Sequence, residues 1–243
     1  MLSHKRPGMT RTKIVMFVVG GTLLLLIGVI AVESWSFTSL TKQGALDTLD
    51  SLNFDNKFTA EKKSVVQNSG TVNAESTSAP AIGKTDSIIK IVEFVDFSCP
   101  FSREENSIIR ELALANPNRV WLQIRNFPVD ELHPNARAAA IAASCAGEQD
   151  KYWNMHDALF ANQNEQGSFT AEDLRRLALS VGVDGKKYDS CIKSDKVAAA
   201  VTADYNAGAA LGVTGTPTFF VNGYKIDGAV PADIWQKIIK LVK

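Results

Sequence analysis

The residues best placed to do chemistry are Cys99 and its neighbours, in the stretch FVDFSCPFSREEN at residues 94–106. A cysteine sulfur reacts as the thiolate, and a thiolate is favoured where the free N–H groups of a helix N-terminus face it. Pro100 suits the first position of a helix, where no N–H is needed, so Cys99 is a candidate N-cap of a helix expected to carry acidic residues in its first turn. Ser102 stands one turn on, where its hydroxyl can donate a hydrogen bond to the sulfur and where a second cysteine would complete a redox pair. Serine forms no disulfide, so the chemistry open to this stretch is that of one thiol, attacking or being attacked by exchange. The plain alternative is an ordinary cysteine buried at a strand end, since unpaired cysteine is often found inside.

The elements that must position Cys99 follow from the hydrophobic pattern. SIIKIVEFVDF, residues 87–97, is nearly unbroken in β-branched and aromatic residues and predicts a central strand covered on both faces. A helix from Cys99 towards Arg119 and a second strand in RVWLQIRNF complete a βαβ unit with a parallel pair. Residues 134–212 read as helical throughout, and Thr170 with Asp173 makes a capping-box start within them. TPTFFVNGYKI predicts two short strands around the Asn222-Gly223 turn, followed by a last helix from Pro231 or Ala232 to Val242.

Composition is that of a globular chain: 243 residues, 45% apolar, 21% charged and formally neutral, with nothing to suggest a nucleic-acid surface. Residues 14–32 carry no charge over 19 positions, about 28 Å as a helix, enough to cross a bilayer core. We expect an uncleaved anchor there; a cleaved signal, cut after Ser34 or Ser36, is the competing reading. Lys5, Arg6, Arg11 and Lys13 then place residues 1–13 in the cytoplasm and everything after Val32 outside it, where disulfides are permitted. Residues 33–79 read as a juxtamembrane linker, with a short helix between 33 and 58 and a flexible Ser/Thr/Asn-rich stalk from Thr59 towards Ser87.

Three segments, IVEFVDFSCPFS, FPVDELHPNARAAAIAASCAGEQDKYWNMHDALFANQ and GVTGTPTFFVNG, closely resemble the DsbA-like thiol:disulfide oxidoreductases, in a branch that is often membrane-anchored and extracytoplasmic. The resemblance covers about residues 80–243. It implies an α/β, thioredoxin-like fold: βαβ, a helical insertion over about 134–212, then ββα. It further implies a cis peptide between Thr216 and Pro217, packed beside Cys99 and presenting backbone atoms to an extended substrate, with Pro100 and Phe101 also on the substrate side. A plain turn with a trans bond is the other reading of GTP. Glu93 falls where the family carries a buried carboxylate that shuttles a proton, with Asp96 a second candidate and a solvent-reaching carboxylate the alternative. Cys145 and Cys191 match positions that form a structural disulfide in several relatives; the rival reading makes one of them the resolving partner of Cys99.

His133 reads as a cap for the next helix and His156 as a satisfied helix-face residue. No cysteine and histidine spacing suggests zinc, no glycine-rich phosphate loop is present, and no cofactor is implied. The CPFS variant departs from the family's C-x-x-C and puts the two-cysteine oxidase cycle in doubt. The expected function is a membrane-anchored monothiol isomerase or reductase acting on extracytoplasmic cysteine-containing proteins or peptides. A membrane partner or a small-molecule thiol would then serve as redox partner. The alternative is a non-catalytic binding module that uses the cis-proline groove.

Overall fold

Ahead of the expected central strand lies a two-residue strand, β1 (Ala81–Ile82), in a computed structural model that describes residues 72–163 and 169–242. The basic tail, the apolar run at 14–32 and the segment at 33–71 lie outside the described residues. Then follow β2 (Ile89–Val95), α1 (Pro100–Ala115) and β3 (Val120–Asn126), which make the βαβ unit; β2 and β3 pair in parallel, Glu93 opposite Ile124. Five helices come next: α2 (Ala136–Gly147), α3 (Tyr152–Ala161), α4 (Ala171–Ser180), α5 (Gly185–Cys191) and α6 (Asp195–Ala210). The chain closes with β4 (Thr218–Val221), β5 (Tyr224–Asp227) and α7 (Ala232–Leu241).

The strands form one sheet in the order β1-β3-β2-β4-β5, so β2, which leads to Cys99, is central and buried at nearly every position. β4 runs antiparallel to β2 with Phe219 opposite Glu93, and returns through Asn222 and Gly223 into β5. Both turn residues have positive φ, +48° and +87°, which the Asn-Gly pair accommodates better than other residue types.

The period-2 pattern sorts β2 between two layers. Val92 and Phe94 join Phe220, Phe127, Trp121 and Val213 on one face, where α6 comes so close that a Cβ on Gly208 would sit 2.7 Å from the Phe127 ring. Glu93 points to the other face, on the side where Phe219 meets Trp235 of α7 edge-on at 5.0 Å. α7 is held there by an apolar stripe, Ile234, Trp235, Ile238 and Ile239, each of which contributes roughly 1.5–3 kcal/mol when fully buried. α1 packs beside α7, with Ile109 and Ala113 buried on its inward face, while α2 is the hub of the helical block and touches α3, α4, α5 and α6.

The linker expected through residue 79 ends sooner. From Val72 the chain lies along the sheet: the Val72 N–H donates to Gly223 O at 3.1 Å, and Ala74 is buried with its carbonyl accepting from Arg125 Nη1 at 3.1 Å. Gln123 brackets Ser76, its Oε1 accepting from the Ser76 N–H and its Nε2 donating to Ser76 O, both at 2.7 Å. The stretch is poor in large apolar residues because its partners are polar groups of β3, which hold backbone rather than side chains. Among the described residues no helix is long and apolar enough to cross a membrane.

Candidate active site

Cys99 ends a loop whose shape is set by Asp96. The Asp96 carboxylate accepts the Ser98 N–H on one oxygen (2.7 Å) and the Val129 N–H on the other (3.0 Å), where it also meets His133 Nδ1 at 2.8 Å. Its backbone carbonyl accepts the Cys99 N–H at 3.0 Å. Asp96 holds the loop through both oxygens and pairs with the His133 ring, while the His133 carbonyl accepts the Ala136 N–H at the head of α2 at 3.1 Å. Asn135, with φ +67°, stands at the N-cap of α2.

Cys99 is the N-cap of α1 in extended conformation (φ −78°, ψ 124°), with Pro100 at the first helical position. The first turn of α1 leaves the Phe101 and Ser102 N–H groups without intrahelical acceptors, and the Cys99 sulfur, at the N-cap, takes neither as a capping hydrogen bond. The expected acidic first turn is absent: Glu104 and Glu105 fall one position too late, and Arg103 occupies the place. The thiol is buried, 5% exposed, and donates to the Thr216 carbonyl oxygen at 3.2 Å. Ser102, expected to bond the sulfur, has its hydroxyl fully buried with no hydrogen-bond partner among the described residues. The Thr216–Pro217 peptide is cis, and the Thr216 hydroxyl likewise has no partner among the described residues. Beside this buried centre Phe101 is half exposed.

Below α1 lie two carboxylates. Glu93 is buried with Oε1 unpartnered among the described residues; burial, aided by the neighbouring charge of Glu105, pushes its carboxyl well above the usual range. Glu105 follows Ser102 by three residues on the same face of α1 and accepts from Trp235 Nε1 and the Val230 N–H. Burial lifts it to about 7 against the pull of those two donors. Sequence reading missed Glu105, although the spacing Ser102, Glu105, Ile109, Ala113 marks the inward stripe of α1.

Cys145 and Cys191 form a disulfide between α2 and the end of α5, so neither stands free to resolve Cys99, the one free cysteine of three. His156 is buried on α3 within an aromatic cage of Phe97, Tyr152, Trp153 and Phe160, and burial lowers its affinity for a proton. Among the described residues no group of histidine, cysteine or acidic side chains could hold a metal ion.

Known proteins share this fold. A thiol-disulfide exchange protein, alpha-DsbA2 from Wolbachia pipientis, superposes with a TM-score of 0.61 at 23% identity, over 69% of this chain and 88% of that one. A thioredoxin-like oxidoreductase from Silicibacter pomeroyi superposes equally well, at 28% identity over 69% and 93%. In sequence, the Na(+)/H(+) antiporter NhaA 3 of Salinispora tropica is 34% identical over 148 residues, 60% of this chain and 22% of the antiporter. The chain spans less than a quarter of the length of the first curated relatives it matches. The thioredoxin family model matches residues 75–241, from the strap before β1 to the last residue of α7. With that span, the DsbA-like βαβ, helical block and ββα order, and Cys99 at the head of α1, the chain belongs to the thioredoxin family.

Proposed function

We propose that this protein is a membrane-anchored, extracytoplasmic thiol-disulfide exchange protein that works through Cys99 alone, as an isomerase or reductase of protein disulfides. The observation that carries the reading is the pairing of Cys99 Sγ with the Thr216 carbonyl beside Pro217, at a helix N-terminus, with serine in the second cysteine's place. In the forward step the Cys99 thiol loses its proton and the thiolate attacks one sulfur of a client disulfide. A Cys99–client bond forms as the client's S–S bond breaks, and the leaving sulfur departs as a thiolate that takes up a proton. Glu93, whose buried carboxyl holds its proton more tightly than a free one, is the group on this side of the sheet suited to hand a proton to the leaving thiolate. Ser102 cannot attack the mixed disulfide, so release needs a thiol on the client, which rearranges its disulfides, or a small thiol, two equivalents of which reduce the client disulfide and leave as their own disulfide. Ser102 Oγ is the side-chain donor one turn from the sulfur, free to stabilise the departing Cys99 thiolate. Pro100, Phe101, Thr216 and Pro217 form the client-facing rim.

A second reading rests on the burial of the thiol: a site 5% exposed suits a binding module whose groove holds extended clients without chemistry. Trapping separates the two. The full-length chain is incubated with a scrambled disulfide-bonded client, quenched by alkylation and resolved without reductant. Exchange predicts adducts that vanish on reduction and are absent from Cys99→Ala. Client capture that persists in Cys99→Ala refutes the exchange reading in favour of the binding module. Protease added outside intact cells checks the placement, and should remove residues 72–243 while sparing an anchored fragment.

A further inference from the structure

Gln163 lies just past the C-terminal end of α3, in the helical block, 64 residues from the thiol, yet its side chain reaches into the loop that carries Cys99. The residue is buried, and its Nε2 group donates twice, to Phe97 O at 2.9 Å and to Cys99 O at 3.1 Å. Its own backbone carbonyl accepts from Arg103 Nη1 at 3.2 Å, and the Arg103 N–H donates to the same Cys99 carbonyl at 3.1 Å. The result is a closed ring: Cys99 O to the Arg103 backbone, the Arg103 guanidinium to Gln163 O, and the Gln163 amide back to Cys99 O. Phe97, the second carbonyl in the clamp, is also packed from α3 by Phe160 at 5.1 Å and His156 at 5.6 Å.

We infer that Gln163 is a positioning residue for the Cys99 thiol, through which the helical block sets the reactivity of a cysteine borne by the βαβ unit. The inference rests on the proposed exchange function for its purpose, though not for its test. The carbonyl oxygen of Cys99 is a fixed partial negative charge on the reactive residue itself, additional to the Thr216 carbonyl that the sulfur meets at 3.2 Å. Two N–H donors on the Cys99 oxygen offset it and fix the peptide plane, which holds the sulfur at the head of α1, within the field of the open amides of Phe101 and Ser102. Asp96 holds the loop from the β2 side, so Cys99 is clamped from both flanks, and only the Gln163 clamp bears on the carbonyl of the reactive residue. A glutamine that merely filled space would not need both hydrogens of its amide aimed at backbone on either side of Ser98.

The test uses alkylation of the full-length, disulfide-intact chain, in which Cys99 is the one free thiol, at pH 6.5 and at pH 10. The ionisable groups on the surrounding elements, Glu93, Asp96, Arg103, His133 and His156, stay in place in two variants. Gln163→Leu removes the donor at similar size, and Gln163→Glu sets an acceptor against the Cys99 carbonyl. The expected result is a three- to tenfold slower reaction at pH 6.5 for Gln163→Leu, the order of one hydrogen bond, and a larger loss for Gln163→Glu. Rates should converge at pH 10, where excess base removes the need for the clamp. Variants that melt at a lower temperature but keep the wild-type ratio of the two rates would assign Gln163 a packing role and overturn the inference. Should neither variant fold, Arg103→Lys keeps the charge at an exposed site and shortens the fork that holds Gln163 O; it should slow the pH 6.5 reaction in the same sense, and an unchanged ratio there refutes the clamp. Normal alkylation with no exchange on any disulfide would sink the proposed function while leaving the role of Gln163 standing.

Discussion

Replacing Glu105 with glutamine should change how stability depends on pH, in a direction opposite to that of ordinary acid unfolding. A free glutamate loses its proton near 4.5, and burial under α1 holds the Glu105 proton to about 7. Between those values the folded state binds the proton and the unfolded state does not, so the contribution is fully present below pH 4.5 and is lost as pH rises to 7. About two and a half pH units at about 1.4 kcal/mol each make that loss roughly 3 kcal/mol. Glu93, raised for the same cause, adds a slope of the same sign. Glu105→Gln cannot ionise, and its one acceptor oxygen serves either Trp235 Nε1 or the Val230 N–H, leaving the other short by about 1 kcal/mol. The variant should therefore be less stable than wild type at pH 4.5, by about 1 kcal/mol, and more stable at pH 8, by about 2 kcal/mol. The two curves should cross between about pH 5 and 6. Urea unfolding at unit steps from pH 4 to 8, with the disulfide intact, reads both curves. A variant that runs parallel to wild type throughout would show that Glu105 does not titrate in this range and that the packing of α7 on α1 stabilises its charged form.

Two further outcomes follow from the cysteines. Ser102→Cys places a second thiol one turn from Cys99, and should create or greatly increase dithiol oxidase turnover on a reduced peptide; an unchanged rate would mean that the missing cysteine is not what limits the site. Removing the Cys145–Cys191 bond by a double alanine variant opens a loop of 46 residues and should lower stability by about 4 kcal/mol in the chain-entropy picture, read by urea midpoint. A loss under about 1 kcal/mol would say that the packing of α2 against α5 holds the helical block by itself.

What the sequence makes legible is whatever local residues decide. β-Branched and aromatic density marks β2 and β3, Asn222-Gly223 marks the hairpin, Thr170 with Asp173 marks the start of α4, and Pro100 marks the head of α1, because in each case the signal is a preference of the residues themselves. The strap at residues 72–82 is hidden because its order comes from Arg125 and Gln123, some fifty residues away, acting on its backbone. Gln163 is hidden for the same cause: a polar residue past a helix end looks like surface until Phe97 and Cys99 are seen beside it. Asp96 and His133 were singled out from sequence as separate groups with separate tasks, and only the fold brings them within 2.8 Å of each other.

The Cys99–Thr216 hydrogen bond sets a condition on any exchange at this site. The bond needs the sulfur's proton, so ionising the thiol removes it and leaves a carbonyl oxygen facing an anion at about the same distance. That contact is favourable only before deprotonation; afterwards the sulfur is better served by the N–H groups of Phe101 and Ser102 and by the Ser102 hydroxyl, while the Thr216 carbonyl is left without a donor. A backbone N–H of an extended client is a donor of the required kind, and Thr216 lies just before β4, where the chain has not yet joined the sheet. In the proposed exchange, ionisation of Cys99 and docking of a client strand against Thr216 therefore favour each other. A thiol 5% exposed at rest is then compatible with reactivity, because the partner that uncovers it is the partner it reacts with.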